Sequence, residues 1–519
     1  MKNLYLSVAS GLLFACSWVD IGFFSLVFFA FIPLLILENN LFNQNKNNSL
    51  ILYGYSFISF FLFNVITTYW IWHATVAGAF AAFIINALLM SLVVLLFHKV
   101  KKVLGAFKGY LSLIFFWISM EYLHLNWELA WPWLTLGNVF ATFPDIVQWY
   151  EYTGVLGGTL WILIINLLLY VFLTDKNKKY ITYTALILII PIIFSLAIKS
   201  NLDYLVDEDI EVVVVQPNVD PYFDKFSRNP QQQLDDFIKL SKNKITENTN
   251  LLLGPETVLQ EMIWENKIEN AKSIVKLKKL LNEFPKLNIL LGSTTFKYLG
   301  DNKEKNSRKL KDNTWYNVYN SAILLKSDSS ISIYHKTKLV PGVEQIPYSF
   351  IFDKIADFTV DLGGVSGSLS VDNDKDMFEC DELKILPLIC YESIFGDIIT
   401  SKKSNLIAII TNDGWWRNTP GYKQHHQYAR LRAIEQRKSI IRSANTGISS
   451  IISPNGEIKA KTNWDEEIAI NTIISVNETI TFYNKFGDYI GRIFSFVAVL
   501  LLFSVIVKNN IKKTPTKFS

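Results

Sequence analysis

Long apolar runs, each interrupted by only a few polar residues, dominate the first 200 positions of the chain. A helix needs roughly 17–25 such residues to cross a bilayer. Seven runs have about this length, at 4–19, 21–37, 50–73, 76–97, 110–126, 156–174 and 181–199, and an eighth lies at 489–507. The pattern predicts a polytopic α-helical membrane domain of about seven helices over residues 1–200, and a C-terminal transmembrane helix with a cytoplasmic tail over 486–519.

The pattern changes between residues 201 and 485, where short apolar runs alternate with amphipathic stretches. Strands are predicted at Glu211–Gln216, Asn250–Leu253, Asn288–Gly292, Tyr319–Leu325, Ser330–Tyr334, Ile385–Cys390, Leu406–Thr411 and Ser449–Ile452. Helices are predicted at Gln231–Lys242, Asn266–Leu281 and Gln424–Arg437. Strands and helices that alternate in this way predict one α/β domain with a sizeable core.

Composition supports a membrane protein and excludes several other classes. Half of the 519 residues are hydrophobic, only 18% are charged, and the mean hydropathy is +0.24. No block of Lys and Arg has the density or aromatic interleaving of a nucleic-acid site, so no nucleic-acid partner is expected. Three cysteines exclude a disulfide framework, and no Cys/His spacing suggests zinc. We therefore expect no zinc site.

The lysines between the apolar runs predict the orientation in the membrane. They cluster after the fourth, sixth and eighth runs, as Lys99, Lys101, Lys102 and Lys108, then Lys176, Lys178 and Lys179, then Lys508, Lys512 and Lys513. If the N-terminus is inside, all three clusters fall on the cytoplasmic side, as the positive-inside rule requires. The same count places the α/β domain on the outer side, which in a bacterium is the periplasm.

A loop between the fifth and sixth runs, from Glu128 to Gly158, is rich in aromatic residues and holds two prolines. Aromatic residues concentrate at membrane interfaces. The loop is interpreted as an interfacial segment on the outer face, and the alternative is that its aromatic residues line a path for lipid.

Three predicted strands of the α/β domain end in groups that can carry chemistry. Leu251–Leu253 leads to Glu256, Ser330–Tyr334 leads to Lys336, and Ile385–Ile389 leads directly to Cys390. A cysteine nucleophile needs a base because a free thiol titrates near pH 8.5. A carboxylate can be that base, and Lys336 with the backbone N–H of Tyr391 could stabilise an oxyanion.

Each of these residues also has a plain structural interpretation. Cys390 could be a core cysteine, Glu256 a carboxylate at a helix N-terminus, and Lys336 a solvated lysine at a strand end. Three reactive groups at three strand ends of one domain favour the chemical interpretation.

The motifs around these residues resemble those of the nitrilase, or carbon–nitrogen hydrolase, superfamily. They are Gly254-Pro255-Glu256-Thr257, His335-Lys336 with Leu339-Val340-Pro341, and Cys390-Tyr391-Glu392. Further matching stretches are Gln216-Pro217-Asn218, Thr411–Trp416, Arg430–Glu435 and Ser443–Gly447. Together with the flanking apolar runs, the whole chain resembles the apolipoprotein N-acyltransferase family of bacterial inner-membrane enzymes.

The resemblance implies a nitrilase-like αββα sandwich, with Glu256 as base, Lys336 as the oxyanion-stabilising partner and Cys390 as nucleophile. It gives Glu344 and Glu392 supporting roles, and Tyr391 lies between the latter and the cysteine. The implied reaction moves an acyl chain from a phospholipid through a Cys390 thioester to the α-amine of a diacylglyceryl-modified apolipoprotein. It needs no metal and no diffusible cofactor, so none is expected.

Two other functions remain open at the level of sequence. A membrane-tethered amidase or nitrilase would use the same three residues with water as the acceptor. A transporter or sensor with a ligand-binding outer domain should carry ionisable residues inside its spans, and the spans here contain few, such as Asp20 and Glu121 near span ends.

Overall fold

A computed structural model of the chain describes residues 1–18, 22–44, 48–202, 208–223, 227–348, 368–372 and 377–513. The chain divides into two compact units. The first consists of Met1–Trp72, Val76–Lys199 and Phe486–Ser519, and the second of His73–Thr75 and Ser200–Lys485. The last six residues of the predicted cytoplasmic tail lie outside the described residues.

A helix lies at each of the eight apolar runs of the first unit. The helices are α1 (Lys2–Ser17), α2 (Ile32–Phe42), α3 (Ser49–Thr68), α4 (Val76–Leu104), α5 (Ala106–Asn126), α6 (Tyr150–Thr153), α7 (Val155–Asp175), α8 (Lys178–Lys199) and, at the C-terminus, Tyr489–Lys513. Over the described residues, six helical segments are long and apolar enough to cross a membrane. The exceptions are α1, which has 16 residues, and α5, which carries Lys108, Glu121 and His124.

Most of the aromatic loop between α5 and α7 is buried within the helical unit, whereas Phe143 and Tyr152 are exposed. Phe140 and Tyr150 are fully buried. The side chain of Glu121 ties the loop to its neighbours, because Oε1 accepts a hydrogen bond from Leu136 N at 2.9 Å and Oε2 accepts one from Thr159 Oγ1 at 2.7 Å. The interfacial interpretation of this loop missed the buried carboxylate, which satisfies polar groups that an apolar interior would otherwise leave unpaired.

Lys101, one of the lysines used to orient the chain, is buried and not a free surface charge. Its Nζ lies 2.5 Å from Glu38 Oε2, and Glu38 Oε1 lies 2.6 Å from His98 Nδ1. The other three lysines of that cluster, Lys99, Lys102 and Lys108, are exposed. The cluster therefore still carries the excess positive charge on which the orientation depends.

The second unit contains two β-sheets. The strands are β1 (Glu208–Gln216), β2 (Thr249–Leu253), β3 (Leu259–Trp264), β4 (Asn288–Gly300), β5 (Arg308–Lys309), β6 (Trp315–Leu325), β7 (Ile331–His335), β8 (Phe378–Cys380), β9 (Leu383–Ile389), β10 (Leu406–Thr411), β11 (Ser439–Ala444), β12 (Ser450–Ile452), β13 (Ile458–Lys461) and β14 (Ile468–Val476). Within the described residues, the first sheet has the order β14-β1-β2-β4-β6-β5, with β3 paired to β4 and β7 to β6. The second has the order β13-β12-β11-β10-β9-β8.

Helices cover the outer faces of the two sheets. They are α9 (Pro230–Lys242), α10 (Lys272–Glu283) and α11 (Pro420–Gln436), followed by the short α12 (Phe482–Phe486). Alternate residues of a strand point to opposite faces. Val212 and Val214 accordingly lie in the core between the sheets, whereas Val213 and Val215 pack with the residues of α9 and α10. Helix α11 contacts β11 and β12 of the second sheet. The predicted fold class, a helical membrane domain with an αββα sandwich, is confirmed.

The strand prediction missed β3, β5, β8, β11, β13 and β14, of which β14 is the longest with nine residues. One of these strands, β11, lies inside the second sheet between β10 and β12. Its six residues include Arg442, which is fully buried and whose Nη2 lies 2.7 Å from Asp413 Oδ2. A charged residue in mid-strand breaks the apolar run. Its burial is made possible by the distant ion partner Asp413 together with a hydrogen bond from Nη1 to Ile448 O. A strand prediction based on hydropathy cannot see that partner.

Candidate active site

Glu256, Lys336 and Cys390 all lie just beyond strand ends of the second unit. Lys336 comes immediately after β7, and Cys390 immediately after β9. Glu256 comes three residues after β2 ends at Leu253. Two of the three side chains are thus carried by the first sheet and the third by the second sheet.

Close backbone contacts fix the turn that carries Glu256. Gly254 N donates to Leu290 O at 2.8 Å, and Gly292 N donates to Pro255 O at 3.0 Å. A Cβ atom on Gly292 would lie 2.5 Å from Thr257 N, which is too close for any residue with a side chain. Gly292 therefore lets β4 approach the turn closely enough to hold Glu256 in place.

Lys336 is buried between two carboxylates. Its Nζ donates to Glu344 Oε1 at 2.8 Å and lies 3.6 Å from Glu256 Oε1. Burial lowers the pKa of Lys336, but the charges of Glu344 and Glu256 outweigh it, and the pKa is raised overall. Asn320 Nδ2 joins the same two carboxylates, donating to Glu256 Oε1 at 2.7 Å and to Glu344 Oε1 at 3.1 Å. Lys336 is therefore held as a cation.

Cys390 forms a sharp turn at the end of β9. Its φ of 51° lies in the left-handed region, which is unusual for a residue with a side chain. Burial, and then the charge of Glu256, raise the pKa of the Cys390 thiol to about 12, while the charge of Lys336 lowers it. The thiol thus lies within electrostatic reach of both residues. At neutral pH it is protonated and needs a base before it can attack.

Glu392 links the lysine loop to the cysteine loop. Its Oε1 accepts hydrogen bonds from Thr337 N at 2.6 Å, Thr337 Oγ1 at 2.8 Å and Tyr334 Oη at 2.9 Å. Its Oε2 accepts one from Ile389 N at 2.8 Å. Burial raises the pKa of this carboxyl, although the hydrogen bonds oppose the rise. Glu392 therefore connects the residues next to Lys336 with the residue before Cys390.

The other two predicted supporting residues differ in their surroundings. Glu344 contacts Lys336 directly, and its Oε2 accepts a hydrogen bond from Val340 N at 2.8 Å. Tyr391 is buried, and its ring lies edge-on to that of Phe395 with the centroids 5.0 Å apart.

Sequence analysis missed Asn320 and a buried polar cluster beneath Cys390. In the cluster, His425 Nδ1 and Arg442 Nη2 contact the two oxygens of Asp413 at 2.9 and 2.7 Å. Burial raises the pKa of Asp413, but the charges of Arg442 and His425 outweigh it and lower the pKa to about 2. The adjacent pair His425-His426 and the Asp413 motif were visible in the sequence, but no spacing connected them to Cys390. Among the described residues, no group of three or more His, Cys, Asp or Glu side chains could hold a metal ion.

Comparison with known families agrees with both units. The family described as "Carbon-nitrogen hydrolase" matches residues 211–479, more than half of the chain, and the "Apolipoprotein N-acyltransferase N-terminal domain" matches residues 10–168. An apolipoprotein N-acyltransferase from Rickettsia prowazekii is 30% identical over 76% of this chain and 76% of its own length. The chain belongs to the apolipoprotein N-acyltransferase family.

Other members of this family align over nearly the full length. The relative from Chlorobaculum tepidum is 26% identical over 95% of this chain and 94% of its own, and the one from Geobacter metallireducens is 26% identical over 94% and 92%. Membership identifies the chain as an acyltransferase, and its six apolar helices indicate a membrane protein. The hydrolase and transporter alternatives are correspondingly less supported.

The contacts of Glu392 predict a large effect on stability. Glu392→Ala should lower the free energy of unfolding of the second unit by about 3 kcal/mol or more, because the buried carboxylate loses the four hydrogen bonds described above and a fifth from Lys338 N at 3.3 Å. The control is Glu478→Ala, which removes an exposed pair with Lys384 and should change stability by no more than about 0.5 kcal/mol. Chemical denaturation of the full chain in detergent measures both. Equal losses of stability in the two variants would contradict the structural role given to Glu392.

Proposed function

We propose that this protein transfers a fatty acyl chain from a membrane phospholipid to the N-terminal α-amine of the diacylglyceryl-modified cysteine of apolipoproteins. The observation that carries the proposal is the arrangement of Cys390 within reach of the Glu256–Lys336 pair, in a chain that aligns with apolipoprotein N-acyltransferases over more than nine-tenths of its length. Glu256, Lys336 and Cys390 are the proposed catalytic residues, and Glu344, Tyr391 and Glu392 support them.

In the first half-reaction, Glu256 accepts the thiol proton and the Cys390 thiolate attacks the ester carbonyl carbon of the phospholipid. Within the described residues, both contacts to the Glu256 carboxylate go to Oε1, so Oε2 is available to the thiol. Lys336 and the Tyr391 N–H stabilise the oxyanion. The carbon–oxygen bond to the glycerol then breaks, Glu256 returns its proton to the departing alkoxide, and a lysophospholipid leaves.

In the second half-reaction, the α-amine of the apolipoprotein cysteine attacks the thioester carbonyl. Glu256 takes a proton from the attacking nitrogen, the same donors stabilise the second oxyanion, and the carbon–sulfur bond breaks. The products are an amide and the free thiol, which regains its proton from Glu256. A thioester suits this exchange because it reacts with amines more readily than the starting ester does.

Glu344 supports this cycle through its charge. Lys336 is shared by two carboxylates. Proton transfer to Glu256 removes one of those negative charges while the oxyanion forms nearby. The Lys336 ammonium can therefore pair with the oxyanion in place of Glu256, and the number of charges in the site does not change. Preorganised charge of this kind requires little rearrangement during the reaction.

The lysine clusters support an inner-membrane protein whose second unit is periplasmic. That side faces the outer leaflet, where the lipid-modified acceptor would be presented. An active site on a multi-pass protein confines both lipid substrates to the same plane.

Reporter fusions test this orientation. A reporter that is active only outside the cytoplasm should work when fused after Ser200 and fail when fused after Lys179, because one span separates the two positions. Fusion of a cytoplasm-dependent reporter at the same two positions is the control and should give the opposite pattern. The reverse of both results would overturn the proposed topology.

Mass spectrometry tests the acyl-enzyme. After incubation with phospholipid, the purified protein should gain the mass of one acyl chain on Cys390, and hydroxylamine should remove it. Cys390→Ala should gain none, whereas Cys380→Ala should behave as wild type. Burial raises the pKa of Cys380, and the charges that act on it are those of Asp381 and Lys326 rather than those of Glu256 and Lys336.

The second substrate decides between transfer and hydrolysis. A peptide with a diacylglyceryl-modified N-terminal cysteine should discharge the adduct and gain an N-acyl group. Release of free fatty acid with no acylated peptide would identify a hydrolase and refute the proposal.

The pH dependence of thioester formation separates Glu256 from Lys336. Glu256→Gln should be nearly inactive at neutral pH and recover at alkaline pH, because it loses the base and also the negative charge that raises the pKa of Cys390. Lys336→Met should lose on the order of 100- to 1,000-fold at every pH, since thiolate cannot replace a missing oxyanion donor. The half-buried neighbour Lys338 provides a control in Lys338→Met, which should stay close to wild type. Alkaline recovery of Lys336→Met alone would reverse the two assignments.

A further inference from the structure

The carbonyl oxygen of Cys390 points into the buried polar cluster beneath the turn. It accepts hydrogen bonds from Ser393 Oγ at 2.7 Å and from His425 Nε2 at 3.1 Å. His425 Nε2 also lies 2.9 Å from Ser393 Oγ. Because the carbonyl oxygen can only accept and the Ser393 hydroxyl donates to it, the Nε2–H is shared between the carbonyl oxygen and the Ser393 hydroxyl oxygen. These two side chains bind the backbone of Cys390 itself, and neither is among the proposed catalytic residues.

Contacts on the Nδ1 side of the ring fix the orientation of His425. Nδ1 lies 2.9 Å from Asp413 Oδ1 and 3.0 Å from Arg442 Nη2, and Asp413 also accepts a hydrogen bond from Thr411 Oγ1 at 2.9 Å. The Trp416 ring stands edge-on to the imidazole with centroids 5.5 Å apart. The ring is fully buried, so little rotation is possible without breaking an ionic contact.

These hydrogen bonds stabilise a backbone conformation of Cys390 that is unfavourable by itself. A left-handed φ costs a residue with a side chain about 1–2 kcal/mol, so the surroundings must hold Cys390 at its φ of 51°. The two hydrogen bonds to its carbonyl oxygen do this. They also orient the Cys390–Tyr391 peptide plane, because the C=O and the N–H of a trans peptide point in opposite directions.

We propose that His425, held by Asp413, is a positioning residue for acyl-enzyme formation. By holding the Cys390 carbonyl towards the interior of the domain, it directs the Tyr391 N–H to the opposite side, where the oxyanion develops. This inference rests on the proposed function, because it assigns His425 a role only in a reaction that forms a tetrahedral oxyanion at Cys390.

Two reactions of the same thiol separate this role from a general structural one. Acylation by a phospholipid forms an oxyanion, whereas alkylation by iodoacetamide is a direct displacement that forms none. His425→Phe keeps a ring of similar size and leaves Asp413 paired with Arg442. It should slow thioester formation on the order of 10- to 100-fold, while the rate of Cys390 alkylation at the same pH stays within about threefold of wild type. His425→Gln, whose amide can reach the carbonyl oxygen, should recover part of the loss.

The neighbouring histidine provides a matched control. His426 is equally buried on the same helix, but its Nε2 contacts Ser450 Oγ at 3.0 Å and not the Cys390 turn. His426→Phe should leave the ratio of acylation to alkylation unchanged. If His425→Phe fails to fold, Ser393→Ala removes the other donor to the same oxygen and should lower that ratio in the same direction, by less.

The outcomes are distinct for the two proposals. If the wild-type protein forms no thioester at Cys390, the proposed function fails. If it does, and the His425 and Ser393 variants acylate at the wild-type rate, the positioning role is refuted. Equal losses of acylation and alkylation in folded variants would also refute it, since the thiol itself would then be displaced.

Discussion

The charge balance around Lys336 is the constraint on which the candidate site depends. One ammonium group is buried with two carboxylates, and an amide donates to both. A buried charge without a partner costs several kcal/mol, so none of these groups can be removed without leaving another uncompensated. The arrangement also leaves one negative charge in excess, and the charge of Glu256 raises the pKa of the Cys390 thiol. The same interaction therefore maintains the site and supports its proposed chemistry.

Hydropathy and strand-end logic could predict the ends of β2, β7 and β9, because buried strands are continuous apolar runs and a polar residue at their carboxyl end stands out. They could also predict the helical unit, since spans are long and their signal is strong. Motif resemblance then gave Glu344 and Glu392, although the contacts of Glu392 with Thr337 and Ile389 needed the three-dimensional structure.

The residues that sequence could not predict share a physical cause. Asn320 lies inside β6, and Arg442 lies inside β11, and both are polar residues within buried strands. Each is stabilised by partners that are distant in the chain, Glu256 and Glu344 for the first and Asp413 for the second. Local hydrophobicity placed Asn320 in the predicted strand Tyr319–Leu325 but gave no sign of its partners, and it did not predict the strand that contains Arg442. Buried polar residues in the second unit therefore mark the site better than its apolar residues do.

Glu256 and Lys336 belong to one sheet and Cys390 to the other, and Glu392 joins them across the gap. The spacing of the two sheets is set by the apolar side chains between them, such as Val214 and Ile410, which carry no reactive group. The distance between the proposed nucleophile and the proposed base therefore depends on the volume of the core. A methyl group added to that core would push the two sheets apart, and one removed would let them move closer. Either change would alter the geometry of the site, so the hydrophobic interior helps to set the positions of the site residues.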